Sequence, residues 1–163
     1  MTETLKAISM WQPWASLWLT KNKRHETRHW QTRHRGKILV HAAKRRVDDL
    51  DDELCGILVD EFGKNWLGAL RFGAIVGMVD LLDVIPTEKL YDGRGVESIF
   101  SPLSDDEATD RACGNFGPRR FGWRRGTYWV FPKPIPYRGH QTIFNVPAEV
   151  VAEQIAAARE VCG

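Results

Sequence analysis

Cysteine is scarce in this chain and poorly placed for chemistry. The 163 residues hold only Cys55, Cys113 and Cys162, and no two of them form a C-x-x-C pair. That spacing points away from a disulfide framework and from a Cys-based zinc site, and it suits a reducing compartment. Long apolar runs are missing too: none approaches the ~20 residues a helix needs to span a bilayer. The opening Met-Thr-Glu-Thr-Leu-Lys has no secretory pattern, so a cytoplasmic protein without membrane association is expected. No Walker A loop, G-x-G-x-x-G or G-x-S-x-G occurs, which removes the P-loop, dinucleotide and α/β-hydrolase classes. Repeats and low-complexity tracts are absent as well.

What is present is a core's worth of apolar residues, 43% of the chain with seven Trp, at a length that fits one domain. The net charge of +2 conceals a strong asymmetry. Residues 21–46 hold ten Lys or Arg against one acid, Glu26. Residues 48–61 hold seven Asp or Glu and no Lys or Arg, and residues 111–125 hold five Arg and no acid. Two basic segments that converge in space attract a polyanion. The alternative is a set of solvated faces that balance one another.

Hydrophobic periodicity gives the element order. LKAISM (5–10) alternates as a strand, Pro13 suits the first turn of a helix through PWASLWLTKN, and residues 26–30 read as extended. KILVHAA (37–43) is a strand. Val47, Leu50, Leu54, Ile57, Leu58 and Phe62 then recur at helical spacing, with Asp48 to Asp52 near the helix start and Gly63 as its stop. GAIVGMVDLLDVI (73–85) is the clearest strand, and Gly73 and Gly77 mark a bend or a close backbone approach. Residues 86–126 are polar, with helix expected near 104–112. TYWVF (127–131) is a strand, and the three prolines of 132–144 predict a bent edge strand. Pro147 opens a last helix with Val150, Val151, Ile155 and Ala158 facing inward. The spacing lacks the rhythm of a doubly wound sheet, so a small mixed barrel with flanking helices is expected.

The candidate site centres on TKNKRHETRHW (20–30). Its Lys23-x-x-Glu26-x-Arg28 puts Glu26 and Arg28 on one face of an extended segment, with Lys23 at the bend before it. A carboxylate between two cations stays ionised while the cations face a ligand. A lysine beside another cation can instead act as a base, and the same trio can simply be an internal salt-bridge cluster. His25 and His29 stand four apart, a spacing that serves a metal on a helix. The segment reads as extended and lacks a third ligand, so neither metal nor cofactor is expected.

These segments together resemble an ASCH domain of the PUA-like superfamily. SMWQPWASLWLTKNKRHETRHWQTRHRGKILVHAAK is similar to its front half. The family's G-x-K-x-x-E-x-R signature falls on Lys21, Lys23, Glu26 and Arg28, with Lys21 where the family has Gly. GAIVGMVDLLDV resembles the central strand, GNFGPRRFGWRRGTYWVF the aromatic hairpin, and YRGHQTIFNVP the closing segment. The resemblance implies one α+β domain over residues 1–163, a PUA-like barrel of about five or six strands with flanking helices, and a variable polar excursion at about 86–112. It further implies a cleft lined by the signature and an RNA-related role. Some small ASCH proteins are amidohydrolases of an acetylated cytidine, in which the catalytic lysine matches Lys23. Their nucleophilic threonine matches position 26, where this chain has Glu26. A carboxylate does not replace that hydroxyl, so the same route is not expected; Glu26 would instead activate a water, with Lys23 or Arg28 stabilising an oxyanion.

The resulting expectation is a module that binds RNA or a nucleotide-like molecule. Lys23, Glu26 and Arg28 form its floor, and Trp11, for stacking, and Gln12, for a base edge, form its wall. Trp14, Trp30 and Trp129 go to the core. His41 and Lys44 end the KILVHAA strand at the cleft. Asn115, Arg119, Arg120 and Arg124 extend a phosphate track, interleaved with Phe116, Phe121, Trp123 and Tyr128 turned inward, as suits single strands. The alternative is a hydrolase, a nucleoside amidohydrolase or a ribonuclease, with Lys23 and Glu26 catalytic. Residues 86–112 are a candidate surface for a protein partner.

Overall fold

The alternation in TLKAISM builds the first strand, β1 (Thr4–Met10), of a computed structural model that describes residues 2–91 and 102–163. It is followed by α1 (Trp14–Leu17), β2 (His25–Arg28), β3 (Gly36–Ala42), α2 (Asp52–Phe62) and α3 (Trp66–Ala69). Next come β4 (Ala74–Pro86), a 3-10 turn at Thr87–Lys89, and α4 (Asp105–Ala112). The chain ends with β5 (Phe121–Pro136), β6 (Ile143–Pro147), α5 (Ala148–Ala157) and β7 (Arg159–Val161). The seven strands form one mixed sheet in the order β2-β5-β4-β3-β1-β6, with β7 also paired to β5. Among the described residues only β1 and β3 run parallel.

The α+β class matches the expectation. The barrel of five or six strands is corrected: among the described residues there are seven strands and no ladder joins β2 to β6, so the sheet is not closed. It does curl. Arg28 at the end of β2 donates from Nη2 to the Ser9 carbonyl on β1 at 2.8 Å. Both faces are apolar, as covered sheets require. Ile8, Val40 and Val79 pack with Trp18 and Trp123 on one face. Their neighbours Ala7, Leu39 and Met78 pack with Phe131, Val146 and Val151 of α5 on the other. α2 lays Leu54 and Leu58 against Leu17 and Cys113.

Several elements differ from their periodicity. α1 is one turn, because Thr20 Oγ1 caps the Leu17 carbonyl at 2.7 Å and turns the chain away. α2 begins only at Asp52, because Asp51 is its N-cap and accepts from Leu54 N at 2.8 Å, so Val47 and Leu50 precede the helix. β5 is far longer than TYWVF and runs through Pro132, Pro134 and Pro136; past Val130 it pairs with β4 alone, so this end is a bent edge, as its prolines predict. The register jumps there from Gly77–Val130 to Ile75–Ile135, so Pro132 and Pro134 bow out of the ladder where no N–H is needed. Gly77 is the close approach its position suggests: a Cβ would overlap the Trp129 carbonyl and Leu19. Val150 is exposed rather than inward, and β7 has no periodicity to announce it. No helix among the described residues is long and apolar enough to cross a membrane.

Candidate functional site

Strand β2 places the signature. Glu26 sits between two cations: its Oε2 is 3.3 Å from Lys23 Nζ and its Oε1 is 3.2 Å from Arg28 Nε. Lys23 is fully buried and also donates to the carbonyls of His25 at 2.8 Å and Cys113 at 2.7 Å. Its ammonium thus donates to two carbonyls and pairs with one carboxylate. The ammonium ties β2 to the segment after α4 and holds Glu26 in place. Burial in the same region pushes the Cys113 thiol up to about 11, despite the nearby Lys23 charge.

A second buried cluster lies beside it. Asp110, at the end of α4, accepts from the backbone N–H of His25 at 3.0 Å, from His25 Nδ1 at 2.7 Å and from the Tyr91 hydroxyl at 2.7 Å. The Arg24 N–H donates to it as well. A carboxylate only accepts, so His25 carries its proton on Nδ1. Burial raises the Asp110 pKa, but the bonds from His25 and Tyr91 outweigh it and the net shift is downward. The polar excursion is therefore fastened to the signature strand through α4. Residues 92–101 of that excursion lie outside the described residues.

Two cavities flank this trio. The larger, a cleft of about 1210 Å³, is lined by Trp11, Arg28, His41 and Lys44 from the expected set. Its remaining polar wall is Ser9, His29 and the loop from Tyr137 to Thr142. The smaller, about 400 Å³, is lined by Lys23, Glu26, Thr27, Asn115 and Arg120, with Trp14 and Asp51. Trp11 belongs to both. It is 47% exposed, and the Arg45 guanidinium lies over its ring at 4.4 Å.

Other expected residues are not brought together. Gln12 is buried, and its amide is consumed by Ser16 and by the Arg71 carbonyl at 2.9 Å, so it fixes the turn into α1 instead of facing a base. Arg119 and Arg124 line neither cavity; Arg119 N donates to Glu88 at 2.7 Å, and Arg124 is exposed on β5. The inward turn of Phe116, Trp123 and Tyr128 is observed. Arg125 departs from the outward pattern of its neighbours. It is buried on the carbonyls of Trp18, Thr20 and Gly126, and burial lowers it to about 10.

Residues 25–29 spell H-E-T-R-H, the letters of the helical zinc-protease motif. Here they run through a strand, where residues four apart are separated by roughly 13 Å. His25 is held by Asp110 while His29 lines the cleft, so the two do not share an ion. Among the described residues no cluster of His, Cys, Asp and Glu is arranged for a metal.

The ASCH domain family model matches residues 8–116, more than half of the chain and all of the signature region. The chain belongs to the ASCH domain family. Among solved structures it is similar to a tyrosine-to-phenylalanine mutant of ZmASCH from Zymomonas mobilis, at a TM-score of 0.52 and 12% identity. That match covers 96% of this chain and 100% of the other, and at this identity it bears on the fold alone. No curated protein sequence matches.

Position 26 carries a carboxylate and no hydroxyl. Thr27, the adjacent hydroxyl, lines the smaller cavity but accepts from Asn115 N at 3.0 Å. The site also includes residues that periodicity gave no reason to choose: Arg138, Gly139, His140 and Gln141 of the 137–142 loop. Their signal was the YRGHQT segment, which has charge, aromaticity and glycine together.

His41 holds that loop in place. Its Nε2 is 2.7 Å from the Tyr137 carbonyl and its Nδ1 is 2.9 Å from Ser9 Oγ. Burial above all lowers its pKa below 6.5, so the neutral ring donates from Nε2 and accepts from Ser9 at Nδ1. A Cβ on Gly139 would lie 2.6 Å from His41 Cε1 and 2.9 Å from Nδ1. With the ring pinned at both nitrogens, Gly139→Ala is expected to push the loop outward. The expected cost is about 1–3 kcal/mol of stability, read as a lower urea midpoint, because overpacking a pinned contact forces backbone shifts. An unchanged midpoint would show that the loop yields freely.

Proposed function

We propose that the protein binds single-stranded RNA, or a nucleotide-like portion of it, in the larger cleft. One observation carries this reading. The cleft is lined by the cations Arg28, Lys44 and Arg138 and by His29, His140 and the neutral His41, and among the described residues no Asp or Glu lines it. In a chain with 21 acidic residues, such one-sided lining makes a focused positive field. Trp11, Trp30 and Tyr137 add ring surfaces on the same walls. Cations interleaved with aromatics suit unstacked bases and their phosphates better than a duplex. Lys44 and Arg138 have no ion-pair partner among the described residues, which leaves both charges for phosphate.

The test is titration with short single-stranded RNA over a range of salt concentrations. Affinity is expected to fall linearly on logarithmic axes, with a slope of about 0.7 for each phosphate neutralised on a single strand. Absence of binding at low salt, or binding indifferent to salt, would remove the proposal.

A further inference from the structure

The smaller cavity has a different chemical character from the cleft. Its charged lining is balanced, with Lys23 and Arg120 against Glu26 and Asp51. The Lys23 charge is already committed to Glu26 and two carbonyls. Such a cavity repels nothing and attracts no phosphate. It selects by hydrogen-bond pattern. At about 400 Å³ it lies within the range of roughly 300–1,000 Å³ typical of small-ligand pockets. It meets the cleft at Trp11, which lines both.

We infer that this cavity receives one nucleobase from the strand in the cleft, and that it prefers guanine. The inference rests on the RNA-binding reading and adds a base-reading site to it. A carboxylate offers about four lone-pair sites. Each oxygen of Glu26 holds one cation, Lys23 on Oε2 and Arg28 on Oε1, so each keeps acceptor capacity. Guanine presents two adjacent donors, N1–H and the N2 amino group, which match a carboxylate. Uracil presents a single N–H between two carbonyls, which would set oxygen against oxygen. Opposite needs are met in the same cavity. The Asn115 side-chain nitrogen has no partner among the described residues, and Arg120 uses Nε and Nη2 on the carbonyls of Asn115 and Thr27 while Nη1 has none. These are donors for the guanine O6. The stacking surface is Trp11.

The test compares U-rich oligomers that differ at one central position: guanosine, inosine or uridine. The wild-type protein is titrated at one salt concentration. Guanosine is expected to bind on the order of tenfold tighter than uridine, and inosine, which lacks the N2 amino group, to lose most of that advantage. Glu26→Gln, checked for folding by its thermal melt, is expected to erase the preference while the salt slope remains. Asn115→Ala, on the exposed side of the cavity, is the second variant and is expected to narrow the preference. Equal affinity for all three oligomers would overturn the base-reading site and leave the cleft proposal standing. No binding to any of them would overturn both.

Discussion

Lys23→Ala is expected to cost the fold about 3–5 kcal/mol, the usual penalty for leaving one member of a buried ion pair uncompensated. The lysine side chain is 1% exposed and bonds to His25 O, Cys113 O and Glu26. Removing it orphans two carbonyls and leaves the Glu26 carboxylate with Arg28 alone. Lys23→Met keeps the stem's packing and still loses the charge, so it is expected to be nearly as destabilised. Urea unfolding of both variants measures the effect. A Lys23→Ala protein with wild-type stability would contradict the structural role and return the residue to the catalytic candidates.

Asp110→Ala is expected to be the other severe substitution. It deprives two backbone N–H groups, His25 Nδ1 and the Tyr91 hydroxyl of their acceptor. Each buried group left unpaired costs about 1–3 kcal/mol, so a total of at least about 3 kcal/mol is expected. The pH dependence follows from the direction of the shift. Asp110 is lowered in the folded protein, so between its folded and unfolded values the unfolded chain binds more protons. The stability it contributes is fully present above the unfolded carboxylate value of about 3.9 and is lost as pH falls through the folded value. Unfolding free energy measured from pH 6 downward is expected to decline below about pH 4 in the wild type and more shallowly in Asp110→Asn. Parallel curves for the two proteins would show that another carboxylate controls acid stability.

Much of the sheet was legible because its strands are long and apolar on both faces. LKAISM, KILVHAA and GAIVGMVDLLDVI became β1, β3 and β4 within a residue or two of their expected ends. β5 was legible only in its middle. Its prolines argue for an edge, and they fall past Val130, where β5 pairs with β4 alone beside the bulge opposite Ile75–Gly77. Side-chain parity on β5 also separates Arg124, exposed, from Arg125, buried. A basic run gives no means of telling those two apart without the register.

The candidate site was legible where its members are close in sequence. Lys23, Glu26 and Arg28 do form one chain of ion pairs, and Trp11, His41 and Lys44 do line the adjoining cleft. Gln12 was misread because its partner, the Arg71 carbonyl, is 59 residues away. The 137–142 loop was passed over for a similar reason. It reaches the cleft through His41, whose bond to Tyr137 spans 96 residues. Long-range polar contacts of this kind leave no periodicity in the sequence.

The central claim is that Lys44 and Arg138 neutralise phosphates of a strand lying in the cleft. The measurement that bears on it most directly is the salt dependence of RNA affinity for the wild type and for Lys44→Ala/Arg138→Ala. If both residues contact phosphate, the slope for the double variant is shallower by about 1.4, two contacts at about 0.7 each on a single strand. Identical slopes in a folded double variant would contradict the claim and place any RNA elsewhere on the protein.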